Sequence, residues 1–331
     1  MSNRGRSAAL AAILAIGLAL AAPCTPAAQD FPSRPIEFIV PWGPGGGADQ
    51  LARMLAKLME PRLKVSIPVI NVPGATGQTG LTKLLTAPAD GYSIATFTGP
   101  TFALLAGTPP PKWSMKDLQP LGVVVQQISA FLVAEGGRFK TWADVEKAAK
   151  TERLRVAITG FGSDDDLTVN FLTKRGLRFL SVPMAKPGER YSSVLGGHAD
   201  VLYEQIGDVR SFVDSKQLKP VIFFSEKRDA AFPDVPSSVE LGYEVTLPQF
   251  RAVVVRGGTD AKIVKKLADA LADAVKDPEY VAFLKDQHAD PDGFVLAAES
   301  GPYFGKLLKG LKELVARSGM TTEGAQPNEK K

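Results

Sequence analysis

The sequence predicts an α/β fold of two lobes, each built on a central, mostly parallel sheet flanked by helices. Three observations carry this expectation. Short β-rich runs alternate with stretches whose apolar residues recur at the i, i+3, i+4, i+7 spacing of a helix face. The 31 glycines and 25 prolines of the 331 residues gather where a run ends and a helix begins. Three strand–loop–helix units follow one another between residues 36 and 101, as in a sheet with helices on its faces.

Ile36-Glu37-Phe38-Ile39-Val40 is the first strand, and it ends at Pro41. Leu51, Met54, Leu55, Leu58 and Met59 then mark one apolar helix face, which Pro61 is expected to stop. Residues 65–70 read as a second strand, Leu81, Leu84 and Leu85 as a helix, and residues 92–97 as a third strand. Residues 123–125 and 131–133 are further strand-like runs, and Thr141-Trp142-Ala143-Asp144 opens a helix. The strand at residues 155–159 leads into Gly160-Phe161-Gly162-Ser163-Asp164-Asp165-Asp166 and a helix to about Lys174. Strands at residues 179–182, 201–203, 219–224 and 250–255 follow. Residues 263–275, 280–287 and 303–318 are helical by periodicity and capping. No fixed-period repeat or long linker interrupts the chain, as expected of two lobes joined by extended crossings.

Arg4 and Arg6 precede a 15-residue uncharged run, residues 8–22. That run is short for a membrane span but fits a secretory signal. Residues 1–28 are therefore expected to form a signal peptide that directs the chain to the periplasm, and Cys24 leaves with it. One cysteine excludes a disulfide framework or a four-cysteine zinc site. A net charge of +4 over this length does not mark a nucleic-acid binder. No later segment is long and apolar enough to span a membrane. The domain expectation is a first lobe of residues 29–128 and 250–325, a second lobe of residues 129–249, and a disordered tail at 326–331.

In a parallel α/β sheet, ligands bind beyond the carboxyl ends of the strands, where helix N-termini present unpaired N–H groups. Glycine there lets the backbone approach a ligand. The loops at residues 43–47 and 73–77 occupy this position, and with residues 160–163 they form a cradle suited to an anionic group such as a carboxylate. Residues 43–48 also satisfy the dinucleotide pattern G-x-G-x-x-A, so an exported dinucleotide-dependent enzyme stays open as the alternative. Against it, the second strand ends in Asn71, where an acid should hold the ribose. A P-loop lacks its Lys and Ser/Thr, and Ser163 is followed by acids, not by a nucleophile-elbow glycine. His288, Asp290, Asp292, Gly293 and Glu299 fall at calcium-loop spacings, but His in the first position removes a hard ligand, and the segment is a natural turn. No catalytic residue, metal or cofactor is expected.

Phe31-Pro32-Ser33-Arg34-Pro35-Ile36, Val40-Pro41-Trp42 with Gly45-Gly46 and Asp49, Asn71-Val72-Pro73-Gly74-Ala75-Thr76-Gly77, Ala89-Asp90-Gly91-Tyr92, Leu195-Gly196-Gly197-His198-Ala199-Asp200 and Pro233-Asp234-Val235-Pro236 form an ordered set. That set resembles the Bug-type receptors, the extracytoplasmic substrate-binding proteins of tripartite tricarboxylate transporters. The resemblance implies a type II periplasmic-binding-protein-like fold, and a monomer whose lobes close on a small carboxylate for delivery to membrane permease subunits. A sensing role without a dedicated permease stays open. By the same resemblance Trp42, Gly43, Gly45, Gly46, Gly47 and Asp49, with Pro73, Gly74, Ala75, Thr76 and Gly77, hold the carboxylate. Thr98 and Thr101 line the cleft from the first lobe, and Gly162, Ser163, Asp166 and Asp200 from the second. Two departures stand out: Asp166 where the family usually has His, and Met184-Ala185-Lys186-Pro187-Gly188 where an aromatic and a basic residue are common. Either Asp166 faces the cleft and repels a second anionic group, favouring a neutral, aromatic or cationic distal group, or the acids at 164–166 are solvated and only cap a helix.

Overall fold

The computed structural model describes residues 30–107, 109–247 and 249–318. The expected signal peptide, Cys24 and the tail at 326–331 lie outside the described residues. The described residues from 34 to 318 form one compact unit, built on two sheets. The six-stranded sheet has the order β11-β4-β10-β3-β1-β2 and the five-stranded sheet the order β7-β6-β8-β5-β9. In chain order the strands are β1 (Glu37–Val40), β2 (Val69–Asn71), β3 (Ser93–Thr98), β4 (Leu118–Gln127), β5 (Ser129–Ala134) and β6 (Leu154–Ile158). They continue as β7 (Phe179–Pro183), β8 (Val201–Gln205), β9 (Leu218–Phe223), β10 (Gln249–Arg256) and β11 (Val295–Leu296). The helices used below are α1 (Gly47–Leu63), α2 (Gln78–Thr86), α3 (Gly99–Ala103), α4 (Trp142–Thr151), α5 (Asp164–Lys174) and α6 (Pro187–Leu195). After these come α7 (Arg210–Asp214), α8 (Ala261–Ala274), α9 (Pro278–Asp286) and α10 (Ala297–Ser318).

The sheets are mixed, which corrects the expectation that they are mostly parallel. β2, β1 and β3 are parallel neighbours, as are β7, β6 and β8, but β10 runs antiparallel to β3 and β4, and β5 antiparallel to β8 and β9. The reason is the passage of the chain between sheets. β4 leaves the first sheet at Gln127 and β5 begins at Ser129, while β10 returns at Gln249 and pairs Gln249 with Gln127. Two strands carrying the chain in opposite directions side by side must pair antiparallel.

Several elements differ in length from the sequence reading. α1 runs past Pro61 to Leu63 and closes on left-handed Lys64, whose N–H reaches the Glu60 carbonyl. β4 extends well beyond residues 123–125; Pro120 and Gly122 break the apolar pattern without breaking the ladder to β10. β2 is reduced to three residues because Pro68, which has no N–H, interrupts the expected run.

Aromatic residues from both sheets pack into one continuous core. Phe97 and Phe250 of the first sheet contact Phe102 of α3 and Phe304 of α10, and Phe131, Phe179 and Tyr203 of the second sheet cluster with Trp142 of α4 and with Phe224. These rings fix the strand ends on which the site is built. Among the described residues, no helix is long and apolar enough to cross a membrane.

Candidate functional site: the cleft between the sheets

The carboxyl ends of β1 and β3 face those of β6 and β8 across a cleft, with the amino end of β10 alongside. At the end of β1, residues 43–47 turn the chain into α1, and Gly45 takes a φ of 83°. Asp49 braces this loop. One carboxylate oxygen accepts the Gly45 N–H at 3.0 Å, the other accepts Asn71 Nδ2 at 3.0 Å, and Arg53 bridges both. Burial alone would raise the Asp49 carboxyl, but hydrogen bonds from Arg53, Gly45 and Asn71 outweigh it and hold the group below its usual range. Asn71 also donates to the Trp42 carbonyl at 3.0 Å, so the residue that lacks a ribose-binding carboxylate instead ties two loops together.

The second loop is strained. Gly74, Ala75, Thr76 and Gly77 all have positive φ, between 47° and 134°. Ala75 and Thr76 each cost on the order of 1 kcal/mol in that region. Thr101 Oγ1 donates to the Thr76 carbonyl at 3.1 Å, and Thr76 Oγ1 donates across the cleft to the Phe161 carbonyl at 3.1 Å. Trp42 Nε1 donates to Thr98 Oγ1 at 3.1 Å, closing the first-sheet wall.

None of the acids at 164–166 is solvated, which corrects that expectation; Asp166 turns back to Ser181 of its own sheet and does not face the cleft, while Asp164 reaches across to Gln249 of β10. All three are buried. Asp166 accepts the Gly162 N–H at 2.9 Å and the Ser181 hydroxyl at 2.7 Å, Asp165 accepts from the Thr159 N–H and hydroxyl, and Asp164 accepts from Gln249 Nε2. Burial raises all three carboxyls, Asp164 most, with the Asp165 charge adding to it. Ser163 caps α5, accepting the Asp166 N–H at 3.3 Å and donating to the Gly160 carbonyl. Asp200 is a second correction. It lies just before β8, at the end of the sheet away from the cleft, where it accepts from the Arg155 N–H at 2.9 Å and pairs with Arg155 and Arg138.

The walls meet closely. A β-carbon on Gly46 would lie 2.5 Å from Pro187 Cγ, one on Gly47 2.0 Å from Asp208 Oδ1, and one on Gly160 2.3 Å from Thr76 Oγ1. The run 184–188, which departs from the resembled pattern, is thus the surface that receives the first glycine loop. Between the walls is a cavity of about 40 Å³, lined by Trp42, Gly46, Gly47 and Thr98 among the expected residues. That is room for one or two waters.

Sequence reasoning missed the charged and amide residues of this cavity. Arg251 pairs with Asp208 and donates to Gln127 Oε1 at 2.7 Å; Arg190 pairs with Glu204 at 2.7 Å and donates to the Met184 carbonyl. All four charged side chains are more than nine-tenths buried. Burial pushes the Asp208 carboxyl up to about 6 despite the Arg251 guanidinium beside it. The signal available was Arg251 within the apolar run Phe250-Arg251-Ala252-Val253, since a charge on a central strand needs a buried partner.

A family model described as the tripartite tricarboxylate transporter family receptor, TctC, matches residues 51–296. The chain belongs to this receptor family. BugT of Bordetella pertussis is 30% identical over 292 residues, covering 85% of this chain and 89% of that one. The structure of the periplasmic binding protein BugD superposes with a TM-score of 0.80 at 24% identity, over 87% of this chain and 99% of that one. MatC of Rhodopseudomonas palustris with bound malate gives 0.76 at 22% identity, over 88% and 100%. The tripartite tricarboxylate transporter receptors are substrate-binding proteins and not enzymes. Membership therefore removes the dinucleotide-dependent enzyme as an alternative, and it agrees with Asn71 being committed to Asp49 and Trp42.

Proposed function

We propose that this receptor works in the periplasm, reached through the signal peptide at residues 1–28, and captures a small organic acid in the cleft between its sheets for delivery to membrane permease subunits. The two sheets act as lobes, of residues 29–128 with 250–325 and of residues 129–249. The observation that carries this reading is the opening of the α1 N-terminus, at Gly46 and Gly47, onto one buried cavity between the sheets. The first N–H groups of a helix have no intrahelical acceptor, and the helix dipole adds to their pull on an anion. Both glycine loops contact the opposite wall, so a ligand held there touches both lobes only when they are closed. The malate bound to MatC is consistent with such a ligand.

Mass spectrometry of the mature protein under native conditions tests the reading. A small carboxylic acid should leave with gentle activation, and Trp42 fluorescence should change when that acid is added back. Recovery of a nucleotide, or a carboxylate whose addition leaves Trp42 unaffected, would overturn it.

A further inference from the structure

The cavity holds an acceptor that no described residue satisfies. Asp208 Oδ2 takes the Arg251 guanidinium, but Oδ1 is buried with no hydrogen-bond partner among the described residues. The side chain is 6% exposed and lines the cavity, with Oδ1 directed at Gly47, the first residue of α1. A buried carboxylate oxygen left unpaired is costly, more so than a neutral group. It is also placed beside the helix N-terminus, where a ligand carboxylate would bind.

The cavity as it stands admits only one or two waters, so an acid enters as the walls part, and the charges around it restrict which acid can then be held. Arg251 and Arg190 are matched by Asp208 and Glu204, so the buried wall is neutral before a ligand arrives. One carboxylate adds a charge that the α1 N-terminus can meet. A second would stand among Asp208 and Glu204 with no free cation on this wall, and an uncompensated buried charge is strongly unfavourable. An ammonium beside the first carboxylate has the opposite effect, since it donates to Asp208 Oδ1 and returns the chamber to neutrality.

On this basis we propose that Asp208 is a specificity residue, and that the receptor selects a small zwitterion, an acid bearing an ammonium next to its carboxylate, over a plain dicarboxylate. The proposal rests on the carboxylate reading of the cleft.

Two isosteric series test it by calorimetry: L-alanine, L-lactate and propionate, and L-glutamate, 2-hydroxyglutarate and glutarate, with succinate alongside. The amino member of at least one series should bind about tenfold or more tighter than its hydroxy and unsubstituted partners, the scale of one hydrogen bond to a charged group. In Asp208→Asn that gap should shrink to about threefold or less, while the unsubstituted acid keeps or gains affinity. Equal or tighter binding of a hydroxy acid, an unsubstituted acid or succinate by the wild type overturns the proposal, and needs no variant that might misfold. A preference for the ammonium that survives Asp208→Asn removes Asp208 from it. If none of the seven binds and the native protein carries no acid, the carboxylate reading itself fails.

Discussion

Gly46→Ala should separate folding from closure. Gly46 has φ −84° and ψ 171°, an extended geometry that alanine adopts freely. The unliganded, open protein should then lose only the modest preference of a helix start for glycine over alanine. In the closed arrangement the new methyl would lie 2.5 Å from Pro187 Cγ and 3.2 Å from Pro187 Cβ, against an ordinary separation of about 3.5–4.0 Å. The walls must part by about 1 Å, because the proline ring opens α6 and cannot rotate away. Overpacking of this kind costs about 1–3 kcal/mol, and here it falls on the closed state alone. Affinity for the bound acid should drop roughly 5- to 150-fold, with a melting temperature of the unliganded protein close to wild type. Titration of Trp42 fluorescence reads the affinity and a thermal melt reads the fold. Adding Pro187→Ala removes the ring carbon that the methyl meets and should recover much of the loss. Unchanged affinity in Gly46→Ala would show that this loop does not meet Pro187 when ligand is bound, and the closure argument would be wrong.

Three further outcomes follow from the same geometry. Asp49→Ala strands Arg53, Asn71 and the Gly45 N–H together, and should destabilise the protein by about 2–4 kcal/mol in urea denaturation; a loss below about 0.5 kcal/mol would remove its bracing role. Asp200→Ala should leave ligand affinity within about twofold while costing about 1 kcal/mol of stability, and a large affinity loss would return Asp200 to the site. Burial raises the carboxyls of Asp164, Asp165, Asp166 and Asp208, so the folded protein keeps protons that the unfolded chain has released. That stabilisation is full below the ordinary carboxylate pKa of about 4 and is lost as pH rises through about 6 for Asp208. The melting temperature should therefore be higher near pH 5 than near pH 7.5, and the reverse order would contradict the burial assigned to these acids.

Much of this architecture is legible in the sequence because strand ends carry glycine. The loops at 43–47 and 73–77 lie where the sequence places them, and Trp42 and Thr98 line the cavity. Asp166 was legible as a helix-start acid, but its partner Ser181 comes from a neighbouring strand and so could not be read locally. Asp200 sits in a block typical of the family, yet its partner Arg155 is 45 residues away in the chain, and the two meet only where β6 and β8 begin side by side. The Arg251–Asp208 pair was invisible for the same reason: its members are separated by 43 residues and meet only because β10 returns beside the end of β8. The antiparallel return itself was hidden by Pro120 and Gly122, which disguise half of β4.

The central claim is that the two walls close on a small organic acid. Small-angle X-ray scattering of the mature protein, unliganded and then saturated with the acid it carries, tests this most directly. The radius of gyration should fall on saturation, and Gly46→Ala should blunt the change. An unchanged radius in a sample shown by calorimetry to be saturated would contradict closure around the ligand.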